Sequence, residues 1–405
     1  MTCSVNTKGS RTLLDLCPAT FLPALRGRAF WIGLGLAGLL LSPDPLQAAP
    51  SPIQSDFADD AVVATLPDTP PIPEQLPTTS TDLADRVQNL ISQARSTGDP
   101  RYLGYAERLF QRWPESSLND RLLVLRATLS QSLHRFEQAR EDLTVVLERS
   151  RNRQHRIQAR LTLANLETVR GRYAEAQHHC YQLALDYPGL IAESCSAQVA
   201  ARTGDPEAAY RALETRLANS DAKRPTARLW AEGTLGDIAA QLGREAAARH
   251  WRDVLSASPS DLYIRAQLAD WHLQRGHYRE VVALTESYEQ VDSLAVIRAI
   301  AMHRSQHPEQ DALTQQLRER FSEARWRGAL LHQRDYARFL LDVEGRPEQA
   351  LEHAWDNWQS QREPLDTRLL LRSAQAAGNR DTLAFLRQWL EQYGQTDARY
   401  PEVAS

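Results

Sequence analysis

Lysine is nearly absent. Lys8 and Lys223 are the only two, so arginine carries almost all of the 47 basic charges, against 51 acidic ones. A codon bias toward arginine accounts for this; a demand for guanidinium chemistry is the alternative. The net charge of −4 is spread over both signs, which excludes a global attraction to nucleic acid or anionic lipid. Cysteine is scarce too: of four, Cys3 and Cys17 precede the one long apolar run, leaving Cys180 and Cys195. That run, Ala29 to Leu41, is 13 residues, short of the roughly 20 that span a bilayer as a helix. Also missing are a zinc-protease helix motif, a phosphate-cradling glycine loop and a Gly-x-Ser-x-Gly elbow. The absences point away from an enzyme, and no cofactor is expected.

Arg26 and Arg28 precede the apolar run, and Gln47-Ala48-Ala49 follows it after Pro43 and Pro45. Charge, short apolar run and small-residue site in that order read as a signal peptide over residues 1–49. Cleavage would release the protein to a periplasmic or secreted location; an uncleaved segment would tether it to the membrane. Residues 50–81 hold Pro50, Pro52, Pro67, Pro70, Pro71, Pro73 and Pro77 with few apolar residues, the composition of an extended linker.

Beyond the linker a turn keeps returning: Gly171-Arg172-Tyr173, Gly204-Asp205-Pro206, Gly243-Arg244-Glu245, Gly276-His277-Tyr278, Gly345-Arg346-Pro347 and Gly378-Asn379-Arg380. The glycines lie 33, 39, 33, 69 and 33 residues apart, and the longest gap is about two periods. A period near 34 with glycine between two apolar-periodic stretches predicts a helix–turn–helix array. His134-Arg135-Phe136, His307-Pro308 and Gly98-Asp99-Pro100 supply fainter turns. The expected fold is all-α: about nine antiparallel helix pairs in a superhelical solenoid over residues 82–395, then a tail at 396–405. The stretch 296–330 departs most from the pattern and reads as a soft joint between two blocks.

The cleanest unit, 157–190, has Leu163-Ala164 in its first helix and Gly171-Arg172-Tyr173 at its turn. Its second helix carries Ala176, Cys180, Leu183 and Ala184, and Tyr187-Pro188-Gly189 ends it. Leu235-Gly236 with Gly243, Ala247, Trp251 and Pro259, and Leu268-Ala269 with Gly276-His277-Tyr278, repeat the scheme. These residues resemble the tetratricopeptide-repeat family over about three-quarters of the chain. The resemblance implies a right-handed superhelix whose first helices line a concave groove where partners bind. Carried over by repeat phase, the groove positions are Thr128, Asn165, Gln198, Asp237 and Asp270, with Arg121, Gln158 and Tyr263 nearby. The family's chaperone-binding subset holds a peptide carboxylate with lysines; only Asn165 fits, and the lysines are missing.

Three further features carry open readings. Cys180 and Cys195 sit on consecutive antiparallel helices across a short loop, so a disulfide or two buried thiols both fit. Arg149, Arg151, Arg153, Arg156 and Arg160 form a basic run that is either a solvated loop or a site for an acidic partner. Trp355 and Trp358, one turn apart, are core residues or an exposed contact. His178-His179 does not read as a metal site, because adjacent helical residues point about 100° apart. The expected function is an exported scaffold docking a protein partner of the bacterial envelope, with a glycan- or ligand-binding accessory as the alternative.

Overall fold

The computed structural model describes residues 77–220, 225–327 and 332–402, all within one compact unit. The expected signal peptide and nearly all of the expected linker lie outside these residues. Within them are nine antiparallel helix pairs. They are α1 (Ser80–Thr97) with α2 (Arg101–Gln111), α3 (Asp120–Ser132) with α4 (Phe136–Arg149), and α5 (Arg153–Val169) with α6 (Tyr173–Asp186). Next come α7 (Leu190–Arg202) with α8 (Pro206–Ala218), α9 (Pro225–Gln241) with α10 (Ala246–Ala257), and α11 (Leu262–Gln274) with α12 (Tyr278–Leu284). The last are α13 (Asp292–Arg304) with α14 (Gln310–Trp326), α15 (Gln333–Asp342) with α16 (Pro347–Trp358), and α17 (Pro364–Ala376) with α18 (Arg380–Tyr393). The described part of the stretch 296–330, up to residue 327, is built like the rest, burying Val296 to Met302 of α13 apart from Arg298, and Leu313, Leu317 and Phe321 of α14.

Local chemistry starts and stops these helices. Asn119, Asn152, Asp205, Asp261 and Asn379 accept first-turn backbone N–H groups that have no intrahelical partner. Pro206, Pro347 and Pro364 occupy first-turn positions that need no N–H donor. Each turn then passes through the left-handed region. Glycine fills that position in seven pairs; His134 (φ 62°) and Gln306 (φ 53°) fill it in the second and seventh. At Gly171 (φ 70°) a side chain is excluded twice over, because an added Cβ would stand 2.9 Å from Arg362 Cδ.

First and second helices differ in how much of their surface they bury. α3 is buried along Leu122–Leu125 and Ala127–Gln131, and α5 and α11 are buried almost as completely. Such helices must lie between other layers. The second helices bury one stripe: in α6 it is Tyr173, Ala176, Cys180 and Leu183. Alanines such as Ala164, Ala176, Ala239 and Ala247, each at most 1% exposed, let paired axes approach closely.

The solenoid also closes on itself along a seam. The turn of each early pair meets the helix entrance six pairs later. Gly98, in the first, meets Val291, the cap of α13; His134 in the second sets its ring edge-to-face with His332, the cap of α15, with centroids 6.4 Å apart. Val169 O, in the third, accepts from Arg362 N at 2.8 Å, at the entrance to α17. Past α18 the chain prolongs this seam as a strap: Gly394 lies against Gly204, and Ala398 N donates to Gln241 O at 2.8 Å. Gln241 Nε2 in turn donates to Thr396 O at 2.7 Å. The stretch expected as a tail from 396 is thus docked as far as residue 402, where Gln375 donates to its carbonyl.

Candidate functional site

Four first helices side by side line a shallow concavity. α5 brings Leu161, Ala164, Asn165 and Thr168, which share one face by their spacing of three, four and seven residues. α7 brings Cys195 and Gln198; α9 brings Trp230, Thr234 and Asp237; α11 brings Tyr263 and Ile264.

Asp237 organises one wall. Its Oδ1 accepts from Trp251 Nε1 and its Oδ2 from the Tyr263 hydroxyl, both at 3.1 Å. Gly236 makes the first bond possible, since a Cβ there would lie 2.5 Å from Trp251 Nε1. Burial, with the Asp237 charge beside it, pushes the Tyr263 phenol well above its ordinary pKa, so it stays a protonated donor. Thr168 and Thr234 donate their hydroxyl protons to Ala164 O (2.7 Å) and Trp230 O (2.9 Å). Gln198, half-buried, has no hydrogen-bond partner among the described residues. The opposite wall is tied at Cys195, bonded to Cys180 with Cα atoms 5.5 Å apart.

Of the groove positions named from the sequence, Asn165, Gln198, Asp237 and Tyr263 meet in this concavity. Asp270 does not reach it: it is 2% exposed and held by Arg338 and, at 2.8 Å, Arg368. The two guanidiniums hold its carboxyl well below the usual carboxylate range despite burial. Thr128 is buried and donates to Val124 O at 2.8 Å. Arg121 is bound to Asp85 at 2.6 Å and to Gln88 at 2.9 Å, and Gln158 is exposed outside the concavity. Trp230 and Thr234 escaped the sequence reading. Their signal was present, since Trp230 and Thr234 lie seven and three residues before Asp237, in the same helical phase.

The remaining sequence features are mostly occupied internally. Arg149, Arg153 and Arg156 donate to the carbonyls of Leu118, Asp186 and Leu147, and Arg160 binds Asp186 at 2.9 Å. Four of the five arginines in the basic run therefore serve loop and helix-end oxygens. Trp358 is 1% exposed and donates to Thr367 Oγ1 at 3.1 Å; Trp355 is partly buried beside it.

The concavity offers two amides, a carboxylate, three hydroxyls and two aromatic rings, with no histidine and no thiol free to act as a nucleophile. Among the described residues no three His, Cys, Asp or Glu side chains are grouped to hold a metal ion. This is the chemistry of recognition. No family model matches the chain, and no curated protein matches its sequence.

Proposed function

We propose that the protein is an exported scaffold of tetratricopeptide-repeat type that docks a short segment of another envelope protein on its first helices. The observation that carries this reading is the concavity across α5, α7, α9 and α11. The unpartnered amide of Gln198 and the Trp230 and Tyr263 rings all line it. Amides recognise backbone and polar side chains, while aromatic rings supply contact area at low entropic cost. Export is supported by the charge, apolar run and Gln47-Ala48-Ala49 site at the N-terminus, and the periplasm is the proposed compartment.

A photo-crosslinking residue at position 198, in the full chain in its native cells, tests this. One protein should be captured there, in an amount that falls when Asp237→Ala is added. A crosslinker at Tyr181, on the outside, should not capture it. Equal capture from both positions would refute the reading. A second reading, a glycan-binding accessory, draws on the same ring-and-amide chemistry. Saturable glycan binding by the isolated protein, lost in Trp230→Ala, would favour it.

A further inference from the structure

Where the strap closes the seam, the interior holds cations and donors that the chain itself does not satisfy. Tyr173, Trp389 and Tyr393 form one aromatic cluster, with centroids 5.2 to 6.5 Å apart. Arg362 lies 4.5 Å over the Trp358 ring, and Trp358 lies 5.1 Å from Trp389. Arg202 approaches from the end of α7; its Nη1 donates to Gln241 Oε1 at 3.3 Å, and Gln241 binds the strap.

Two facts stand out. First, among the described residues neither Arg202, 7% exposed, nor Arg362 has a carboxylate within 4.0 Å. The acids in this region are engaged elsewhere. Asp397 is locked to Arg399 at 2.5 Å, and Glu363 caps α17 and faces Arg334. Second, the polar atoms Tyr173 Oη, Trp389 Nε1, Gln395 Oε1 and Nε2, and Tyr400 Oη are all buried without a hydrogen-bond partner in the protein. Tyr173 is 3% exposed, Gln395 4% and Trp389 6%.

Arg202 is buried and Arg362 half-buried, with the Trp358 ring and carbonyl beside it. A guanidinium withdrawn from water without a carboxylate is costly and cannot shed its proton, so a compensating charge is favoured. Buried donors left without acceptors add to that cost. Both demands have the same answer. We infer that this cluster of side chains binds a small tetrahedral dianion of the phosphate class, gripped by Arg202 and Arg362 and by hydrogen bonds from Tyr173, Tyr400, Trp389 and Gln395. Two guanidiniums match two negative charges, and the donors outnumber the acceptors, as an oxyanion needs. Burial raises both phenols above their ordinary pKa, which keeps their protons available for donation. The ion would link the third and fourth turns to α18 and the strap, so its binding would lock the seam.

The test is thermal unfolding of the full chain with its disulfide intact, refolded from denaturant into phosphate-free buffer and titrated with inorganic phosphate. Ionic strength is held constant with chloride, because phosphate also stabilises proteins generally by exclusion from their surfaces. A saturable rise of about 4 °C is expected at one hundred times the dissociation constant. Arg202→Met should abolish the rise. Tyr400→Phe, which keeps every charge and so tolerates folding, should move the midpoint phosphate concentration up about tenfold. A chloride-matched titration without a rise, or an equal rise in both variants, would overturn the site and leave the donors to water. Acetate acting as strongly as phosphate would overturn the dianion.

Discussion

Asp270→Asn removes the carboxylate on which Arg368 depends. Arg338 retains Asp342 at 3.9 Å, but Arg368 has no second ion pair among the described residues. Asp270 is 2% exposed and the Arg368 side chain 6%. One carboxylate shared by two cations only partly offsets burial, which pulls the Arg368 pKa down to about 10 even in the intact protein. Arg368 remains charged at pH 7 and would be left buried without a partner. Breaking such a pair from one side costs about 3–5 kcal/mol, much more than losing a surface pair. Urea unfolding followed by circular dichroism should show this loss, with Tm lower by about 4–7 °C.

The pH dependence gives an internal check. Asp270 has its folded pKa depressed, so its contribution is complete above the unfolded value near 3.8. It is lost only as pH falls through the lower folded value. The deficit of Asp270→Asn should therefore be the same at pH 7 and pH 5. It should also survive high salt, since a buried pair is screened little. Arg368→Met added to the variant should recover part of the loss by removing the orphaned charge. A deficit under about 1 kcal/mol would refute the reasoning, because it would mean that Arg368 is not buried as described.

Gln306 is exposed and holds φ 53°, so Gln306→Gly should stabilise by about 1 kcal/mol, read as a higher urea midpoint. Burial, then the neighbouring His332 and Arg135 charges, lower the His134 pKa to about 3, so its neutral form belongs to the fold. Its contribution is complete above the unfolded pKa near 6.5 and falls as pH drops toward 3. Between pH 7 and 5 the protein should lose about 2 kcal/mol more than His134→Asn, a side chain that tolerates the left-handed turn but does not titrate.

The repeat was legible because its signals are local. A left-handed residue between two apolar stripes marks each of the nine turns, and His134 and Gln306 hold that conformation where glycine is missing. Phase along the first helices was legible too, and it reached Asn165, Gln198, Asp237 and Tyr263. What phase cannot show is what lies opposite a residue. Asp270 has the same phase as Asp237, yet it meets Arg368, 98 positions away. That meeting depends on the superhelical pitch, a small rotation per pair accumulated over several pairs. No single pair encodes it, so a position read as open groove is an internal ion pair. The docked strap was hidden for the same reason.

The seam also limits what the concavity can hold. Toward their C-terminal ends, its four helices are all covered by later parts of the chain. On α5, Val169, one residue past Thr168, is bound by Arg362. On α7, the turn at Gly204 lies under Gly394; on α9, Gln241, one turn past Asp237, is bound to the strap. On α11, Asp270, two turns past Tyr263 on the same face, is sealed by Arg338 and Arg368. An occupant therefore cannot continue along the first helices in that direction without opening the seam. A concavity bounded on that side suits a short segment of a partner, not a long peptide along the superhelix. Opening the seam would break contacts between pairs six apart, where a simple solenoid couples only neighbours. A longer partner would have to supply the free energy of those contacts, and of the Asp270 pairing two and three pairs on, before gaining any of its own. Short segments are therefore favoured by the same interactions that hold the array shut.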